Sequence, residues 1–347
     1  MIHTVGMRPD HAASEDFARQ TEPFRRELLA HCYRMLGSVH DAEDLVQETM
    51  LRAWRARGDF DPGRASIRTW LHRIATNACL TALESRGRRP LPSDLSPPSL
   101  DTDKVPAGRH AEITWLQPFP DALLGGGTGA LTGSAEATDP AAVVAARDSI
   151  RLAFVAALQH LPARQRAVLI LRDVLSWRAA EVADLLETTT AAVNSALQRA
   201  RAQLQEAPPM RSAVSEPLPP RQRELADRYL SAFVSADMDT LTRLLAEEVV
   251  LEMPPFLTWF SGRDAVSRFL SVRAPAGPDR WRAIPVGANG QPAGGVYLRR
   301  PDGRHHAHSV HVFTVTEAGI TWIAAFQEPG LFPAFGLPPV FPEPQRA

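Results

Sequence analysis

The run Ser38-Val39-His40-Asp41-Ala42-Glu43-Asp44-Leu45-Val46-Gln47-Glu48-Thr49 constrains this chain more than any other stretch. Ser38 is a good N-cap residue, Asp41 follows three positions later, and Gly37 is placed to close a preceding helix. A helix turns about 100° per residue. At that step Ala42, Leu45, Val46, Thr49, Met50 and Ala53 share one side, while Asp41, Asp44 and Glu48 fall nearly opposite. The clustered carboxylates repel one another and bring no counter-charge. Such a face is either simply solvated or built to meet a basic partner.

Charge is segregated along the chain, although the formal net charge is only −1. From Glu22 to Arg89 there are twelve Arg against nine Asp and Glu; from Leu91 to Pro140 there are two basic residues against seven acidic ones. A basic module is thus followed by an acidic connection. Lys104 is the only lysine, so the positive charge is almost all guanidinium, which suits phosphate and base-edge contacts. Cys32 and Cys79 belong to no metal-binding or redox pattern and read as small buried hydrophobes in a reducing compartment. The first twenty residues are too charged for a signal peptide, and no apolar run is long enough to span a bilayer. A cytoplasmic protein without a membrane partner is expected.

The pattern divides 347 residues into modules. Residues 1–20 read as a flexible leader and 21–89 as an all-helical domain. Residues 90–140 are rich in Pro, Gly, Ser and Asp and lack periodicity, so they read as an acidic linker. Its Gly125–Gly129 run is followed by no Gly-Lys-Ser/Thr and is not a phosphate loop. Residues 141–206 are helical again. Leu161-Pro162 breaks a helix, Arg164 to Leu175 forms the next, and Ala179–Leu186 and Thr190–Gln205 flank a short turn, a helix-turn-helix spacing. A Pro-rich hinge, 207–220, leads to 221–330. There amphipathic helices come first and strands follow at Val249–Pro254, Gly295–Arg300, His308–Thr316 and Ile320–Phe326. The tail, 331–347, is apolar and too proline-rich for an α-helix. It is expected to be extended and packed on the mouth of its own domain or on one of the helical domains.

The acidic helix is followed by Arg64-Ala65-Ser66-Ile67-Arg68-Thr69-Trp70-Leu71-His72-Arg73-Ile74-Ala75-Thr76-Asn77. This pair resembles domain 2 of extracytoplasmic-function sigma factors. The later helices, with Ala192-Val193-Asn194-Ser195-Ala196-Leu197-Gln198-Arg199-Ala200-Arg201, resemble sigma domain 4. The segments around Ala226–Pro255 and Val312–Pro329 resemble the SnoaL-like, NTF2-like superfamily. The implied fold is two all-α sigma domains, the second with a helix-turn-helix, followed by an α+β cone.

The resemblance also implies roles. Asp41, Glu43, Asp44, Leu45, Gln47 and Glu48 would dock on core RNA polymerase, at the clamp region of the β′ subunit. Arg64, Ser66, Arg68, Thr69, Trp70, Arg73, Asn77, Arg86, Arg88 and Arg89 would meet promoter DNA at the −10 region. Asn77 is the residue expected to read an extruded base. Thr189, Thr190, Asn194, Ser195, Gln198, Arg199 and Arg201 would meet the −35 region. Asn194 and Ala196 stand where the family is commonly basic, which points to weaker upstream binding. The acidic linker would thread the polymerase's RNA path.

In the cone, Glu252, Trp259, His308 and Trp322 are pocket candidates for a small ligand. Strand alternation places His306 and His308 on one face and His305 and His311 on the other. No catalytic residue, metal ligand or cofactor is assigned. The expected function is promoter-specific initiation with cis-regulation by the third domain. The alternatives are a SnoaL-type enzyme with a DNA-binding appendage and a polymerase-independent helix-turn-helix repressor.

Overall fold

The computed structural model describes residues 9–103, 108–110, 112–124, 148–205, 219–273 and 279–342. The Gly125–Gly129 run, most of the 207–220 hinge and the last five residues lie outside them. The helices are α1 Pro9–Thr21, α2 Arg25–Leu36, α3 Val39–Arg55, α4 Ile67–Glu84, α5 Leu152–Leu158, α6 Ala163–Leu169, α7 Ala179–Leu185, α8 Thr190–Gln205, α9 Pro219–Ser235, α10 Met238–Leu244 and α11 Arg263–Arg273. The strands are β1 Leu245–Glu252, β2 Trp259–Ser261, β3 Trp281–Ala288, β4 Gln291–Arg299, β5 His305–Thr316 and β6 Gly319–Phe326. None of the described helices is long and apolar enough to cross a membrane.

The chain divides into two compact units. One draws on Met1–Gly87, Leu124–Ser149 and Leu158–Gln205; the other on Arg88–Leu123, Ile150–Ala157 and Glu206–Ala347. In the helical unit, Gly37 adopts φ 69° and its N–H caps Tyr33, ending α2. Ser38 then accepts a bond from the Asp41 N–H at 3.2 Å and starts α3. The buried side of α3 is Val39, Ala42, Val46, Thr49 and Ala53. It packs with α2 and α4 around Leu28, Cys32, Met35, Leu71, Ala75 and Cys79, all fully buried. The helix expected from Arg164 to Leu175 is instead α6 with a wider π turn over Ile170–Val174.

The second unit is a six-stranded sheet in the order β2-β1-β6-β5-β4-β3. Among the described strands only β1 and β6 pair in parallel. One face carries α9, α10 and α11 on a core that includes Tyr229, Phe233, Phe260, Val296 and Phe313. Two strands had escaped the sequence pattern. The β3–β4 hairpin turns at Asn289-Gly290, both with positive φ (57° and 69°). This is the Asn-Gly signal of a type I′ turn, and it was legible in the sequence.

Two departures concern the other sheet face. The linker expected at 90–140 is not a free connection over its described part, because residues 88–123 belong to the sheet unit. Leu91, Leu116 and Phe119 are buried, and Phe119 exchanges bonds with Asn289, its N–H donating to Oδ1 at 2.8 Å. An irregular strap has no repeat to read, so it looked like a linker. The tail folds into a short 3₁₀ segment, Pro329–Phe335, with Leu331, Phe332, Phe335 and Leu337 buried. Below it, Gly294 and Gly295 point to opposite faces of β4. A Cβ on Gly294 would strike Leu230 of α9, and one on Gly295 would strike Leu337 of the tail. The tail therefore lies on the outer sheet face of its own domain, not at the mouth of the cone.

Candidate nucleic-acid interface

On α3 the apolar side is buried and the acidic side faces outward. Asp44 and Gln47 are exposed, while Glu43, Leu45 and Glu48 are half-buried. Glu48 pairs with Arg52 at 2.7 Å and Asp41 with Arg86 at 2.6 Å. Asp41 and Arg86, expected to serve two different partners, thus hold each other. Asp44 and Gln47 are the open centre of the face.

The start of α4 explains four expected −10 contacts locally. Ser66 is its N-cap and accepts a bond from the Thr69 N–H at 3.1 Å; the two hydroxyls are 2.9 Å apart. Arg68 turns inward onto buried Glu27, with Nε 2.8 Å from Oε1. Trp70 packs on Phe60, their ring centres 5.0 Å apart. Arg73 donates to Asp184 at 2.6 Å. Asn77 and Arg64 are exposed. Asn77 borders a cleft of about 490 Å³ that also contains Thr81, Arg164 and Leu186. Beyond α4, Arg88 is exposed and Arg89 donates to the Trp115 carbonyl at 2.9 Å. The expected −10 set is therefore not one uniform surface.

The helix-turn-helix forms as read. Glu187 takes φ 51° in the turn, and Thr189 Oγ1 accepts from the Ala192 N–H at 3.2 Å, opening α8. Val182, Leu185, Val193, Leu197 and Ala200 are buried. Thr189, Thr190, Asn194, Ser195, Gln198, Arg199 and Arg201 are all exposed. Arg201 is held by a two-pronged pair with Asp173, at 2.7 and 2.9 Å.

Two buried arginines tie the helical unit together, and sequence reading missed both. Arg34 is fully buried and donates to the Ser149 carbonyl at 3.1 Å and its hydroxyl at 2.9 Å. Arg166 donates to the Met35 carbonyl at the end of α2, to Gln159 Oε1 at 3.0 Å, and to the carbonyls of Gln159 and Leu161. Burial pulls the pKa of each down to about 10, so both stay charged near neutrality. Beside them His31 bonds Thr76 at 3.0 Å and His72 packs edge-on to His31. Burial holds both imidazoles below their ordinary pKa, that of His31 strongly.

In the sheet unit the pocket candidates separate. His308 lines a cavity of about 310 Å³ between the helices and the sheet, with Tyr229, Phe233, Phe269, Trp281 and His311. Glu252, Trp259 and Trp322 do not line it. Glu252 accepts from Trp322 Nε1 at 2.8 Å and from the Ser93 N–H at 2.9 Å; Trp259 Nε1 donates to the Ser96 carbonyl at 2.8 Å. Glu252 and Trp259 bind the strap, and Trp322 holds the Glu252 carboxylate in place. The expected histidine alternation also fails. The register shifts between the Val296↔Ser309 and Tyr297↔Ala307 pairs, leaving His308 as an extra residue on its strand. His308 and His311 therefore share the cavity, whereas His306 pairs with Asp302 at 2.6 Å. The described residues contain no cluster able to hold a metal ion.

Burial pushes His311 down to about 3, with neighbouring His308 adding to it. Its ordinary value applies in the unfolded chain, so unfolding takes up a proton below about pH 6.5. Stability is then lost as pH falls through that range. Between pH 7 and pH 5 this histidine alone is expected to cost the sheet unit about 2 kcal/mol. Urea unfolding at both pH values, with the wild type and His311→Gln, checks this. An unchanged pH dependence in the variant contradicts it.

The sequence matches three families: Sigma-70 region 2 over residues 21–89, Sigma-70 region 4 over 151–204, and the SnoaL-like domain over 226–323. The chain belongs to the extracytoplasmic-function (ECF) RNA polymerase sigma factors, the class that directs RNA polymerase to promoters, and it carries a C-terminal SnoaL-like domain. It is 49% identical over 340 residues to the ECF sigma factor SigG of Mycobacterium tuberculosis, covering 97% of this chain and 88% of that one. SigJ of the same organism is 30% identical over 255 residues, 72% of this chain and 70% of that one. The crystal structure of SigJ matches with a TM-score of 0.59 at 25% identity, over 94% of this chain and all of that chain. A polymerase-independent repressor is thereby set aside.

Proposed function

We propose that the chain docks on the clamp region of the polymerase β′ subunit through the outer side of α3, centred on Asp44 and Gln47 and flanked by Glu43, Leu45 and Glu48. The observation that carries this reading is the split of α3 into a buried apolar side and an open acidic side. Asn77 reads a base of the −10 region, with Arg64 and Arg88 on phosphates. The exposed residues of α8 meet the −35 region. Ser66, Thr69 and Trp70 act by shaping the start of α4, and Arg68 by its pair with Glu27. Arg73 and Arg201 are held by Asp184 and Asp173, carboxylates that DNA phosphates replace on binding. The factor works in the cytoplasm and is not itself an enzyme.

The SnoaL-like domain regulates in cis by holding the strap. Ser93, Ser96, Arg109 and Phe119 are tied to Glu252, Leu257, Gln327 and Asn289. Residues so held are withdrawn from the polymerase's RNA path until the strap is released.

Run-off transcription with the full chain and core polymerase tests the main reading. Asn77→Ala is expected to keep the fold, since the residue is exposed, and to relax preference at one −10 position by about 1–3 kcal/mol. Arg88→Ala is expected to weaken all promoters alike. Unchanged preference in Asn77→Ala removes its base-reading role.

A further inference from the structure

We propose that the cavity of the SnoaL-like domain binds a small aromatic or fused-ring molecule, with a hydroxyl at its inner end and a carboxylate or similar anion at its outer end. The cavity, about 310 Å³, lies at the lower end of the range of small-molecule sites. Its walls are mostly apolar, with Phe233, Phe256, Phe269 and Trp281 supplying ring faces and edges. A flat apolar body fits them.

The inner end is chemically unfinished. Tyr229 is fully buried and its hydroxyl has no partner among the described residues; the same holds for Nδ1 of buried His311. A buried polar group left unpaired is destabilising, so each of these two atoms is poised to take a partner. His311 is part of a relay: its Nε2 is 3.0 Å from Ser309 Oγ, which is 3.2 Å from His308 Nδ1. Ser309 has one hydroxyl proton, and these two rings are its only described partners. The proton therefore goes to one ring, and the other ring donates back to the oxygen. Whichever way it points, one outer ring nitrogen of the pair is a donor and the other an acceptor. Burial keeps both rings neutral near pH 7, with His308 pushed down to about 4. A hydroxyl, which both donates and accepts, matches this end, and a charged group does not.

The outer end carries the opposite chemistry. Arg280 lines the cavity beside Trp281, and its Nε is buried without a partner among the described residues. His311 pairs with Gly294 and Trp281 with Leu298 across β4. Those positions are four residues apart, about 13 Å along a strand. The two polar ends are thus separated by roughly the length of a two-ring molecule. Guanidinium favours an anion there.

Calorimetric titration of the full chain with 6-hydroxy-2-naphthoate, 2-naphthoate and 2-naphthol tests this without polymerase, so it stands or falls apart from the promoter reading. The first probe is expected to bind at one site. Loss of the hydroxyl or of the carboxylate should each weaken binding about tenfold. In Tyr229→Phe the hydroxyl advantage should shrink several-fold while the carboxylate advantage persists; Arg280→Gln should do the reverse. Both changes are small enough to keep the fold, which near-ultraviolet circular dichroism monitors. No binding by any probe at millimolar concentration, equal affinity for all three, or no response to either substitution overturns the proposal.

Discussion

Core RNA polymerase is expected to lose the chain when Asp44 and Glu48 are both replaced by arginine. Asp44 is exposed at the centre of the acidic side of α3, and Glu48 lies one turn on. Against a basic partner surface, reversing both charges replaces two attractions with two repulsions. Like charges set together across an interface cost several kcal/mol, so affinity should fall at least about a hundredfold. The fold should survive. The Glu48–Arg52 pair is between 37% and 44% exposed and contributes only a few tenths of a kcal/mol, and an Arg-Arg pair at that spacing costs a similar amount. The total is about 0.5–1 kcal/mol. Co-purification of core polymerase with the double variant at wild-type strength would refute the docking face.

Arg166→Met should have the largest effect on stability in the helical unit. Arg166 is 3% exposed and places its donors on the Met35, Gln159 and Leu161 carbonyls and the Gln159 side chain. Methionine keeps the length and the apolar stem but supplies no donor. Three buried carbonyls lose a charged donor, and one of them, that of Met35, belongs to the last turn of α2, where backbone acceptors already lack helical partners. A loss of about 3 kcal/mol or more is expected. Denaturant unfolding followed by far-ultraviolet circular dichroism measures it. A change under about 1 kcal/mol would mean that the arginine is replaceable there. Because the link joins sequence far apart, Met35 to Arg166, loosening of the packing of α6 on α2 and α4 should accompany it.

Where the sequence carried a repeat or a turn signal, it was readable. Helix α3 shows its period, its Ser38 cap and its Gly37 stop. The helix-turn-helix shows its spacing, and the last hairpin shows Glu317-Ala318-Gly319. The β3–β4 hairpin was equally marked by Asn289-Gly290, but Pro285 and Gly294-Gly295 blurred the strand alternation around it. Site residues were less readable. Exposure of Asn77 and of the α8 residues follows from helix phase, whereas the pairing of Asp41 with Arg86 or Arg68 with Glu27 depends on which helices meet.

The sequence by itself determined the order of modules, the capped acidic helix, the exposed face of α8 and the family. All of these rest on neighbours within a few positions, where backbone geometry sets which side chains share a face. Only the tertiary structure decided that the described residues between 88 and 123 belong with the sheet, that Glu252 and Trp259 hold this strap, and that Arg34 and Arg166 sit in the interior. It also decided that one extra residue in β5 puts His308 beside His311. These outcomes turn on long-range packing and on satisfying buried polar groups. A strap, a buried guanidinium and a bulge leave no period in the chain, because each is defined by a partner tens to hundreds of residues away.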